Sequence, residues 1–105
     1  MIARTWRGWV RTEDRDDYVA YIRDTGIAQY RATPGNLEAH VLTRDLDDGR
    51  TEVVTLSFWT SLDAVRGFAG DDDERAVVED AARLALSHWD DRVTHHEVVV
   101  DVPAG

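Results

Sequence analysis

Four histidines, four tryptophans and three tyrosines stand in a chain of 105 residues, and these are the side chains from which chemistry could be built. An imidazole titrates at about pH 6.5, so a histidine beside a ligand can move a proton at neutral pH. His40 lies in an alternating stretch with Glu38 and Arg44. His95 and His96 are neighbours, and neighbours on a strand point to opposite faces. At most one of them can enter a given pocket, and the two cannot chelate one metal. No further ligand spacing marks a metal site, so none is expected. The acidic run Asp71–Glu74 lacks calcium-loop spacing and reads as a helix start, where the dipole favours negative charge. His88 and Trp89, followed by Asp90 and Asp91, read as an aromatic anchor in a solvated loop.

The aromatic residues point to a flat ligand. Four indoles exceed what one small core requires, since each buries up to about 250 Å² and its N–H needs a partner. Aromatic walls with a few polar groups are what a pocket for a planar organic molecule needs. Trp6, Tyr18, Tyr21, Trp59 and Trp89 are the candidate walls.

Composition narrows the options further. There is no cysteine, which excludes disulfides, iron–sulfur clusters, thiolate zinc and cysteine nucleophiles. No Gly-x-Gly-x-x-Gly, P-loop or Gly-x-Ser-x-Gly occurs, so neither a nucleotide cofactor nor a serine triad is indicated. A net charge of −9 opposes binding to nucleic acid or anionic membranes. No apolar run approaches the ~20 residues of a membrane span. The start, MIARTWRGWV, has no signal-peptide core, so the cytoplasm is the expected address.

Six segments must position these residues within one domain over 1–105. Residues 2–10 read as a strand. Residues 12–25 read as a helix with Tyr18, Tyr21, Ile22 and Thr25 on one face and Gly26 as its stop. Residues 36–44 and 51–60 alternate as strands about an Asp47-Asp48-Gly49 turn. A helix follows, with Leu62, Val65, Phe68 and Ala69 as its apolar positions, capped by Thr60 or Ser61 and ended at Gly70. A second helical stretch is expected over 71–86, and a last strand over 92–102. Strand, helix, strand, strand, helix, strand is an α+β, ferredoxin-like split βαβ order with a four-stranded antiparallel sheet. The third and fourth strands, 51–60 and 92–102, carry apolar residues on both faces, so the face away from the helices needs a cover, and a second copy of the chain is the economical one.

Four stretches resemble a known family: MIARTWRG, Tyr30–Asn36, Ser57–Gly70 and Val93–Val98. The spacing Trp-x-Ser-x-x-Ala-x-x-x-Phe falls on Trp59, Ser61, Ala64 and Phe68. The last stretch is similar to Val-x-His-Tyr-Glu-Val, with His96 in place of the tyrosine. Together they resemble the antibiotic biosynthesis monooxygenase-like group of the dimeric α+β barrel superfamily. The resemblance implies a homodimer whose two sheets form a shared barrel, with a pocket between helices and sheet in each protomer. It implies a cofactor-independent monooxygenase oxidising an aromatic or polyketide-type molecule in secondary metabolism. His95 is then the first choice of base and His40 the second. Trp59 and Trp6 would hold the planar substrate, with Tyr18, Tyr21 and Trp89 as further contacts and Arg44 stabilising an enolate oxygen. The haem-degrading branch uses an Asn, a Trp and a His whose matching positions here are Thr5, Phe68 and about Val78, so that chemistry is not expected. Relatives often carry Tyr-Tyr-Pro-Glu-Asp where this chain has Val78–Ala82. A non-oxidative cyclase or isomerase, or a binding protein without catalysis, is the alternative.

Overall fold

A computed structural model describes residues 1–104. The first strand, β1 (Ile2–Arg11), leads through a 3-10 turn at Thr12–Asp14 into α1 (Arg15–Ile22). The helical path then continues through a π-helical turn, Arg23–Ile27, into α2 (Ala28–Ala32). It therefore runs past Gly26, where a stop was expected. A glycine stop needs left-handed backbone, and the positive-φ glycines are Gly35, Gly49 and Gly70. Thr25 supports the turn by donating its hydroxyl to the Tyr21 carbonyl at 2.8 Å.

The hairpin of β2 (Asn36–Asp45) and β3 (Arg50–Trp59) forms as its alternation requires, with Gly49 at φ 83° in the turn. Ser61 caps α3 (Leu62–Ala69) by accepting the Ala64 N–H at 3.1 Å, and Gly70 ends it at φ 81°. The helix expected over 71–86 shrinks to α4 (Asp80–Arg83). Residues 74–76 instead lie against 91–93. Val93 donates to the Glu74 carbonyl at 2.8 Å and Ala76 to the Asp91 carbonyl at 2.9 Å, which takes backbone groups a helix would use. The acids serve as side-chain partners: Asp73 accepts from Arg66 Nε at 3.0 Å and Asp72 from Arg92 Nη1 at 2.7 Å.

The sheet is antiparallel in the order β2-β3-β1-β4, where β4 is Leu86–Trp89, and β5 (Thr94–Glu97) also pairs β1. Both short strands lie on the same edge of β1, β4 against Gly8–Val10 and β5 against Ile2–Thr5. They are two halves of one interrupted strand, so the four-position ferredoxin-like sheet is built from five strands. His88 and Trp89 thus belong to a strand and not to a loop. Beyond Glu97, Val98 donates to the Met1 carbonyl at 2.9 Å, and β1 offers no further residue to pair. The expected strand over 98–102 therefore stops, leaving Val99 88% exposed and Val100 and Val102 also exposed.

Register assigns the faces. Arg4, Trp6, Gly8 and Val10 oppose Ser57, Thr55, Val53 and Thr51, and this set faces the helices. The outer face carries Ala3, Thr5, Arg7 and Trp9 of β1 against Phe58, Leu56, Val54 and Glu52 of β3. One core cluster joins Trp6, Val10, Tyr18, Ile22, Val53 and Leu86 under α1. A second joins Tyr30, Trp59 and Val65 between α2 and α3. No helix among the described residues is long and apolar enough to cross a membrane.

Candidate functional site

Between the two clusters the α1–α2 path stands off the sheet and leaves a cavity. Its volume is about 70 Å³, and it opens to solvent. Trp6, Tyr18, Tyr21, Tyr30 and Phe68 supply five aromatic side chains to its wall. Apolar positions such as Ile22, Ile27, Val78 and Val93 fill between them. The π-helical turn contributes Thr25, Gly26 and Ile27, so the irregular part of the helix borders the cavity.

Trp6, Tyr30 and Phe68 are anchored by their neighbours. Gly8 has no Cβ, and the Trp6 indole lies over it: a Cβ placed there would sit 2.5 Å from Trp6 Cη2. The indole N–H donates to the Asp90 carbonyl at 2.8 Å. Tyr30 stacks edge-on against Phe68, with ring centroids 4.5 Å apart, and against Trp59 at 5.6 Å. Trp59 is wholly buried and donates its N–H to Ser57 Oγ at 2.9 Å. It braces Tyr30 and Phe68 and does not itself reach the cavity.

Two charged residues line the cavity. Arg4 is 1% exposed. Its Nη1 donates to the Asp73 carbonyl at 2.6 Å and to His95 Nε2 at 2.9 Å, and its Nη2 to the Arg75 carbonyl at 3.4 Å. These partners are carbonyls and an imidazole, with no carboxylate among them, and Nε is buried without any partner. The second charge is Glu79, at the exposed rim. It accepts from the Tyr21 hydroxyl at 3.0 Å and from Gln29 Nε2 at 3.2 Å.

Protonation states follow. A guanidinium only donates, so His95 Nε2 must accept, and its imidazole is neutral with the proton on Nδ1. Burial, then the Arg4 charge, pushes the His95 pKa down, with Asp73 and Glu74 opposing. Burial pushes the Tyr18 hydroxyl well above its ordinary value. The Tyr21 hydroxyl is raised by burial and then by its bond to Glu79. Both tyrosines are therefore hydrogen-bond donors at neutral pH.

Of the residues singled out from the sequence, Trp6, Tyr18 and Tyr21 come together in the cavity. His95 is on the same face of the sheet but behind Arg4. His40 and Arg44 oppose Leu56 and Glu52 and stand on the outer face, across the sheet from the cavity. There Arg44 pairs with Glu52 at 3.6 Å, and His40 lies 3.4 Å from Glu38. Trp89 lies beneath the Arg83 guanidinium in a shallow groove with Asp72, Arg75 and Arg92, apart from the cavity. Of the positions compared with the haem-degrading branch, Phe68 and Val78 line the cavity and Thr5 faces away. Arg4, Glu79 and Tyr30 were not singled out. The signal for Arg4 lay in β1, where it shares parity with Trp6 and Val10. Glu79 was marked only as part of Val78–Ala82, where the chain departs from the relatives' pattern, and it stands just before α4 instead of inside a long helix.

Solved structures named antibiotic biosynthesis monooxygenases share this split βαβ fold, so the chain has a monooxygenase-like fold. Among solved structures it is similar to a candidate antibiotic biosynthesis monooxygenase from Bacillus cereus, with 18% identity, TM-score 0.68, and 98% of this chain and 97% of that one covered. It is also similar to SnoaB, a cofactor-independent oxygenase from Streptomyces nogalater (17%, TM-score 0.62, 98% of each chain). A third is a point mutant of MhuD, whose structure holds two manganese protoporphyrin IX molecules per active site (16%, TM-score 0.66, 99% and 100%). No protein-family model and no curated protein matches the chain.

Proposed function

We propose that the chain is a cofactor-independent monooxygenase that binds a planar, electron-rich aromatic molecule in the cavity. The observation that carries this is five aromatic side chains converging with one buried cation and one rim carboxylate. Similarity in fold to a cofactor-independent oxygenase supports it. A phenolic methylene compound of the anthrone type would lose a C–H proton to Glu79, the one carboxylate or imidazole on the cavity wall among the described residues. The carbanion then reduces O2, carbon and oxygen combine, and loss of water leaves a ketone. One CH2 and one O2 become one C=O and one H2O, and the electrons come from the substrate. The protein supplies orientation, desolvation and the base. His95 serves as a positioning residue for Arg4.

The second copy belongs to this proposal as well. The outer face carries Val54, Leu56, Phe58 and Leu42 (47% exposed), an apolar surface suited to a two-fold partner.

The test is oxygen uptake with 1,8-dihydroxyanthrone as probe. One quinone should form per O2 consumed, and Glu79→Gln should lower kcat by about 100-fold, in the range of general-base catalysis. Product without oxygen uptake would make the protein a cyclase or isomerase. Binding without product would make it a carrier or sensor.

A further inference from the structure

The inner end of the cavity holds an unusual charge. Among the described residues Arg4 is nearly wholly buried, is bonded to no carboxylate, and has a buried Nε without a partner. Burying a cation unpaired is costly, and natural interiors almost always supply an anion. Here no carboxylate of the described residues bonds the guanidinium, and Arg4 lines the cavity. Its Cζ lies 5.8 Å from the centroid of Phe68, a ring of the same wall. Tyr18 shares that wall, and its hydroxyl, kept protonated by burial, is a donor.

We infer that the cavity recognises an acidic oxygen on its aromatic ligand, a phenolate, enolate or carboxylate, and that Arg4 is the group that selects it. This rests on the proposal that the cavity takes an aromatic molecule, and it adds the charge state in which that molecule binds. A net charge of −9 repels anions from the protein as a whole, so a preference for an anion must be local. In the proposed reaction the same contact holds the negative charge that develops on oxygen when the neighbouring C–H is lost. Arg4 so placed makes the substrate more acidic as well as bound.

Equilibrium dialysis with two probes of similar shape tests this: nitrobenzene, and 4-nitrophenol held above its own pKa. Binding of 4-nitrophenolate should be about 10-fold to 100-fold tighter than that of nitrobenzene, the range of a hydrogen bond to a charged group. The preference should survive added salt, because a buried contact is little screened while surface charges are. Arg4→Met should retain nitrobenzene binding and lose the preference, and Arg4→Lys should keep part of it. Equal affinity of the two probes for the native protein overturns the inference, and so does a preference that persists in Arg4→Met or vanishes with salt. If neither probe binds, the aromatic-cavity reading itself fails. The comparison on the native protein needs no variant, so a misfolded Arg4→Met leaves the question decidable.

Discussion

Replacing Gly8 by alanine should destabilise the fold by driving a methyl group into the Trp6 indole. The new Cβ would meet Trp6 Cη2 at 2.5 Å, Leu86 Cδ2 at 2.9 Å and Trp6 Cζ2 at 3.1 Å. Carbon atoms rest at about 3.5–4.0 Å, so the indole must retreat by about 1 Å. The ring is held at its other end by the 2.8 Å bond from Nε1 to the Asp90 carbonyl, and it is 8% exposed. Overpacking costs about 1–3 kcal/mol, and weakening that buried bond adds to it, giving about 2–4 kcal/mol in all. For a domain of this size that is a fall in Tm of roughly 10–25 °C. The displaced ring also lines the cavity, so affinity for nitrobenzene should fall with it. Gly26→Ala supplies the opposite sign. No atom lies within 4 Å of a Cβ there and its φ is not positive, so the substitution should stabilise by about 0.4–1 kcal/mol through the unfolded chain. Thermal unfolding followed by circular dichroism reads both. A Gly8→Ala protein that melts with the native one, or a Gly26→Ala protein that melts lower, would refute the placement of the indole and of the π-helical turn respectively.

Ser57→Ala removes the acceptor of the wholly buried Trp59 N–H and should cost about 1–3 kcal/mol; an unchanged urea midpoint contradicts the packing of the second cluster. His95 has a lowered pKa when folded, so below its ordinary value of about 6.5 the unfolded chain binds the extra proton. Its contribution to stability is complete above that pH and is lost as pH falls towards the folded value. Denaturant titrations across that window should show a steeper fall for the native protein than for His95→Gln, and equal slopes would count against the Arg4–His95 contact. Light scattering should give twice 11.9 kDa for the native chain and 11.9 kDa for a Leu42→Lys, Leu56→Lys double variant. A native chain that runs as a monomer removes the two-fold cover of the outer face.

Strand alternation was legible wherever one face meets the helices, and for that reason β1, β2 and β3 emerged with their turns. Failures came where tertiary contacts outweigh local preference. Gly26 reads as a stop because glycine usually supplies left-handed backbone, yet here the chain widens into a π-helical turn. Asp71–Glu74 reads as a helix start, but the backbone that follows bonds to residues 91–93, a contact no local pattern encodes. The last strand divides where residues 91–93 turn to bond residues 74–76, with Ala76 donating to the Asp91 carbonyl and Val93 to the Glu74 carbonyl, before β5 resumes against β1. At the site, aromatic residues on the helix face were readable by type and spacing. Charged ones were not: an arginine in an alternating strand looks solvent-facing, and only parity with Trp6 and Val10 places Arg4 inside. His40 and Arg44 show the converse, since chemical aptitude says nothing of which face a strand residue occupies.

The sheet sorts the imidazoles, and the consequence is chemical. His40, His88 and His96 pair with or lie beside outer-face positions of β3 and β1, while His95 faces inward with its acceptor nitrogen committed to Arg4. Among the described residues the cavity thus has no imidazole on its wall, and its charged side chains are Arg4 and Glu79. A fold concerned with stability alone would pair them. Instead each is held by neutral groups: the arginine by two carbonyls and a neutral imidazole, the glutamate by a phenol and an amide. Neutral partners fix the direction of a charge without cancelling it, so both remain effective towards a third party. Under the proposed reaction, a ligand with an acidic oxygen at one end and an ionisable C–H at the other would meet a cation within the cavity and a carboxylate at its rim. That polarity would orient the ligand before any proton moves, and would place the departing proton on the side from which solvent can carry it away.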